Sequence, residues 1–103
     1  MSQPRYQCES FDPPARIRRE LEEFRIDDAR VSELVLATLG GCRLLISGPV
    51  NGTVTVHTPR TVHAAYLRAQ HMPALKQAAG RHLGLAEADF ALRLEPYAGG
   101  GGG

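Results

Sequence analysis

Tryptophan is absent from this 103-residue chain, and lysine occurs once, at Lys76, against eleven arginines. Cysteine occurs twice, at Cys8 and Cys42. Two cysteines so far apart are too few for a disulfide scaffold or a four-ligand zinc site. Both read as free thiols of a reducing compartment. No apolar run approaches the roughly 20 residues that span a bilayer. Residues 1–15 carry no apolar stretch of the kind a secretory leader needs. These absences point to a cytoplasmic protein with no membrane partner. The formal net charge of +1 excludes a strongly basic nucleic-acid binder, and the length fits one domain.

Catalytic constellations are missing too. The glycines at 40–41 and 48–52 lack the Lys and Ser/Thr of a phosphate loop. Asp27-Asp28 suits a helix start better than a carboxylate dyad. Of the four histidines, His57, His63, His71 and His82, the first two flank a helix start with no carboxylate close in sequence. None falls at the i,i+3 or i,i+4 spacing that clamps one metal. The expectation is a non-enzymatic protein with no metal and no cofactor.

Local patterns give the architecture. Residues 1–12 read as a flexible lead and 98–103 as a flexible glycine tail, leaving 13–97 as the domain. Asp12 caps a helix over 13–25 whose first turn holds Pro13 and Pro14, with Ile17, Leu21 and Phe24 as its apolar stripe. Asp27 or Asp28 starts a second helix, in which Val31, Leu34, Val35 and Leu39 form a broad apolar face before Gly40-Gly41 ends it. "CRLLISGPV" and "GTVTVHT" alternate as two strands joined at Asn51-Gly52, a strong hairpin signal. Gly48-Pro49 predicts a bulge or an edge in the first of them. Thr58 and Pro59 then start a helix with Val62, Tyr66, Ala69 and Met72 on its inner side. Pro73 interrupts it, and a second stretch runs to Leu83 and Gly84. Phe90, Leu92 and Leu94 mark a closing strand. The expected class is α+β, order α-α-β-β-α-β, with a three-stranded sheet packed by helices.

Charge is split along the chain. Residues 1–41 carry six arginines and eight acidic residues; residues 42–103 carry six basic and three acidic ones. Within 59–84 lie Arg60, Arg68, Lys76 and Arg81 and no Asp or Glu. At about 100° per residue the arginines and histidines spread opposite Val62, Tyr66 and Ala69. An acid-free helix face suits phosphate contacts, with modest and salt-sensitive affinity. The competing reading is an ordinary solvated helix face. In that case the chain is a small protein–protein interaction or oligomerisation domain with no nucleic-acid binding, and self-association is open to it.

Over roughly residues 24–95 the chain resembles the DciA family of bacterial replicative-helicase loaders. "ARVSELVLATLGG" looks like that family's first helix. "VNGTVTVHTPRTVHAAYLR" looks like its hairpin and following helix, "MPALKQAAGRHLG" like the next stretch, and "ADFALRL" like the final strand. The 52–84 stretch is also similar to the N-terminal domain of the initiator DnaA. Both resemblances imply a small KH-like domain. The chain departs from DciA proteins in lacking their first-helix Trp. The resemblance implies a DNA-replication accessory protein without an ATPase of its own, contacting DNA and the replicative helicase. It implies Arg60, Arg68, Lys76 and Arg81 as phosphate contacts.

Overall fold

In the computed structural model, residues 10–23 and 31–97 are described. The first nine residues, Phe24, the Asp27/Asp28 cap and the 98–103 tail lie outside the described residues, as does the packing of Leu21. The elements run α1 (Ala15–Glu23), β1 (Val31–Leu36), β2 (Cys42–Val50), β3 (Thr53–Thr58), α2 (Thr61–Gln70), α3 (Met72–Leu83) and β4 (Ala91–Pro96). Short 3-10 turns at Ala37–Leu39 and Glu87–Asp89 follow β1 and precede β4. The class is α+β, as expected, but the sheet has four strands in the order β1-β2-β3-β4 rather than three.

The fourth strand is the segment read as a second helix. Leu34 and Leu36 are buried while Val35 between them is 58% exposed, a period of two rather than 3.6. Val31, Leu34, Val35 and Leu39 fit a helical stripe only because the run is short and apolar on both parities. β1 pairs antiparallel with β2 from Val31–Ser47 to Leu36–Cys42. Gly40 caps only the short 3-10 turn Ala37–Leu39, not an α-helix. Gly40 and Gly41 reverse the chain between β1 and β2 with φ of 70° and 82°, values open to glycine at no steric cost. The second turn is as expected: Asn51 and Gly52 both take positive φ and join β2 to β3. The expected irregularity is present as well, for the β2–β3 register shifts between Ser47 and Val50. β4 lies parallel to β3, from Thr53–Ala91 to Thr58–Pro96.

Strand alternation sorts the residues between two faces. Leu34, Leu36, Cys42, Leu44, Ile46, Val54, Val56 and Leu94 share one face and meet Ala64, Leu67, Leu75 and Ala79 of α2 and α3 in the core. Phe11 enters the same core with no exposed surface, although the sequence placed it in the lead. The opposite face carries Leu45, also fully buried. α1 lies over this face: Ile17 is 6% exposed, and the Arg18 guanidinium donates to Glu33 Oε1 at 2.7 Å. Fully burying an apolar side chain contributes about 1.5–3 kcal/mol, so each face has its own anchor.

Cys42 is disulfide-bonded. No described cysteine is free, and Cys8 is the chain's only other cysteine. This overturns the free-thiol reading. Spacing in sequence says little about distance in space, and β2 carries Cys42 to the same end of the sheet that Phe11 enters.

Candidate nucleic-acid interface

The helix pair differs in phase from its sequence reading. In α2 the buried residues are His63, Ala64 and Leu67. Val62 is 46% exposed, Ala69 is exposed and Tyr66 is half-buried. Counting His63 as a surface group rotated the expected inner face by well over a right angle. The ring of His63 instead packs on Phe11. Burial, and the nearby Arg60 charge, lower its pKa below the ordinary histidine value, because the interior disfavours the cation. α2 and α3 are separate helices: His71 closes the first, donating its N–H to Leu67 O, and precedes the second, whose first turn holds Pro73. Proline fits there because its missing N–H has no helical partner in a first turn.

The four cations expected to contact phosphate all lie on or beside the helix pair, but at separate places. Arg60 stands exposed at the N-terminus of α2, and Arg68 is exposed on its last turn. Lys76 places its ammonium 5.3 Å from the centroid of the Phe90 ring. Arg81 lies five residues further on, about 140° around the helix, where it borders a groove between α3 and β1. That groove encloses about 450 Å³ and is lined by Leu34–Leu36, Ala74, Ala78, Arg81 and His82 among others. His82 reaches across it to Ser32, with Nε2 and Oγ 2.9 Å apart. The groove was not legible in the sequence, since it needs β1 to be a strand and an edge.

One pattern does unite the four. Outside the helix pair, Arg16, Arg18, Arg43 and Arg93 each meet a carboxylate. Within it, none of Arg60, Arg68, Lys76 and Arg81 makes an ion pair among the described residues.

A second polar group sits on the α1 face. Ser47 Oγ and His57 Nε2 are 2.8 Å apart, and Glu95 stands opposite His57 in register. Burial lowers the pKa of His57, with the Glu95 charge pulling the other way. These are the residue types of a Ser-His-acid triad. However, among the described residues no Glu95 hydrogen bond to the ring is found, and Glu95 pairs instead with Arg93 at 3.6 Å. A shallow hollow beside them is lined by Ile17, Glu20, His57, Glu95, Pro96 and Tyr97, without Ser47. The serine therefore lacks both an oriented base and a substrate cavity. Among the described residues no group of three or more His, Cys, Asp and Glu could hold a metal ion, and no helix is long and apolar enough to cross a membrane.

No family model, no curated protein and no solved structure matches this chain.

Proposed function

We propose that this chain is a non-enzymatic nucleic-acid-binding accessory domain that contacts DNA phosphates through the α2–α3 helix pair. The observation that carries the reading is the contrast in ion pairing. Cations over 59–84 are left without carboxylates, while Arg16, Arg18, Arg43 and Arg93 elsewhere each meet one; among the described residues outside the pair only Arg19 does not. A solvent-facing guanidinium with no internal partner is available for a phosphate, and arginine holds phosphate with two parallel hydrogen bonds. Arg60, Arg68 and Arg81 are exposed and do the contacting; Lys76, half-buried against Phe90, contributes field more than contact. The KH-like shape and the DciA-type role, with the replicative helicase as protein partner and the cytoplasm as location, belong to the same proposal. The disulfide at Cys42 pulls against that location, since disulfides persist chiefly in oxidising compartments.

The test is fluorescence anisotropy of labelled single- and double-stranded DNA at several salt concentrations. Three or so phosphate contacts give a log–log salt slope of about −2 to −3. Arg60→Glu with Arg68→Glu removes binding and leaves the fold intact. The reading is abandoned if nothing binds at low salt, or if the double reversal binds as well as the parent.

The second reading, a protein–protein interaction domain, draws on Val35 and Val62, large hydrophobics that are exposed among the described residues. Under it the double reversal changes association with protein rather than with DNA.

A further inference from the structure

The sheet has two edges, and they are built differently. β4 ends the sheet with Arg93, Glu95 and Pro96, charges and a proline that discourage another strand from pairing. β1, with the sequence VSELVL, has no proline, no lysine and no register shift. Its one charge, Glu33, is already neutralised by Arg18 at 2.7 Å. Val35, the most exposed large hydrophobic among the described residues, is its fifth residue of six. Above the edge, α3 turns its small residues Ala74 and Ala78 to the groove, where another helix could approach closely.

We propose that two copies of this chain pair through β1, antiparallel and centred on Leu34, to make one eight-stranded sheet with the two α3 helices side by side. Side-chain parity requires the two-fold axis to pass through a residue rather than between residues. Centring on Glu33 sets two carboxylates opposite each other, which is unfavourable. Centring on Val35 leaves only Leu34 to Leu36 overlapping before the 3-10 turn. Centring on Leu34 overlaps Ser32 to Leu36. It places Leu34 against Leu34 of the second copy on the helix-covered face and Glu33 against Val35 of the second copy on the other.

Charge supports that register. Val35 pairs with Arg43 on β2, so Arg43 and Glu33 of the second copy stand two strand spacings apart, about 9.6 Å. The two long side chains span that distance over Val35, with Arg43 54% exposed; within its own copy Arg43 also meets Asp12 at 3.4 Å and Glu33 meets Arg18 at 2.7 Å, so the cross-copy contact is shared with these pairs. Area sets the strength. The overlap is about 17 Å long, and edge plus helix flank present roughly 500 Å² per copy. A standard stable interface has about 800 Å² per partner, so the dimer is weak and concentration-dependent. Arg81 borders this groove, whereas Arg60 and Arg68 lie on α2, so the Arg60/Arg68 reversal tests the DNA reading separately from this pairing.

Sedimentation of the full chain from about 20 µM to 1 mM tests the proposal. The apparent mass should rise from 11.2 kDa towards twice that value. Val35→Glu faces Glu33 of the second copy and should hold the chain monomeric across the range. Val35→Lys faces the same carboxylate and should dimerise at least as well as the parent. Val62→Lys, on α2, should change nothing. Residue 35 is exposed, so circular dichroism of both variants should match the parent. A parent that stays monomeric throughout overturns the proposal and leaves the edge to a foreign strand. So does a Val35→Glu chain that dimerises normally, or loss of the dimer in Val35→Lys as well.

Discussion

The His63 ring meets the Phe11 ring edge-on, at 77° and with centroids 5.0 Å apart. Edge-to-face pairs place the positive ring rim against the negative ring face and add about 0.5–1.5 kcal/mol to simple burial. Phe11 has no exposed surface, so it ties the segment before α1 into the same core that α2 closes. Phe11→Ala should lower the unfolding free energy by about 3–5 kcal/mol. Urea unfolding followed by circular dichroism reads this directly; a loss under about 1 kcal/mol would mean the segment is not anchored.

Acid should destabilise the fold before its carboxylates begin to titrate. His57 and His63 both have pKa values below the ordinary 6.5, mainly through burial. Above 6.5 both rings are neutral folded or unfolded, and their contribution to stability is complete. As pH falls below 6.5 the unfolded chain takes up protons that the folded rings refuse, so stability falls until the folded values are reached. The melting temperature should therefore drop between about pH 7.5 and 5.5. His63→Gln with His57→Gln should flatten that drop. An equal drop in the double variant would assign it to other groups.

In most helices Gly→Ala stabilises by about 1 kcal/mol; at Gly80 the sign should reverse. Leu85 donates its N–H to Gly80 O at 2.8 Å, which folds the chain after α3 back on the helix. A Cβ at position 80 would sit 2.8 Å from Leu85 O and 3.5 Å from the Phe90 ring. Gly80→Ala should cost about 1 kcal/mol or more, read from the denaturation midpoint. A gain in stability would show that the 84–90 segment gives way freely.

Reduction should weaken the protein. With Cys42 in a disulfide, thiol titration of the unfolded, unreduced chain should find no free thiol. Breaking the bond should cost about 2–4 kcal/mol, seen as an earlier unfolding midpoint in reductant. Two titratable thiols before reduction would contradict the bond.

Local turn chemistry made much of the fold legible. Asn51-Gly52 identified the β2–β3 hairpin because few residue pairs tolerate two positive φ values. Gly84 closes α3 as expected, but Thr58 ends β3 and Arg60 is the N-cap of α2 with no side-chain cap bond, so the helix starts later than Thr58-Pro59 suggested. β1 was misread because Val31, Leu34, Val35 and Leu36 satisfy both periods, and what selects the strand is pairing with β2, a tertiary event. The α2 phase was misread at one residue, His63, whose burial depends on Phe11 more than fifty positions away. For the site, the acid-free stretch from 59 to 84 was plain in the sequence. The scatter of its cations and the groove beside Arg81 were not, because both follow from how α3 lies on β1.

The neighbours of β3 reach it on different terms. β2 is joined to it by a two-residue turn, whereas Ala91 of β4 pairs with Thr53 only after two helices have folded back. Closing so long a stretch of chain carries a larger entropic cost and slows folding relative to the hairpin. During synthesis the three antiparallel strands can assemble first, and β4 arrives last. Until then the β3 margin of the young sheet is open, with Val54 and Val56 lacking their neighbours Leu92 and Leu94. A ribosome-bound chain lacking residues beyond 90 should accordingly bind holdase chaperones and clump, while ten more residues release it.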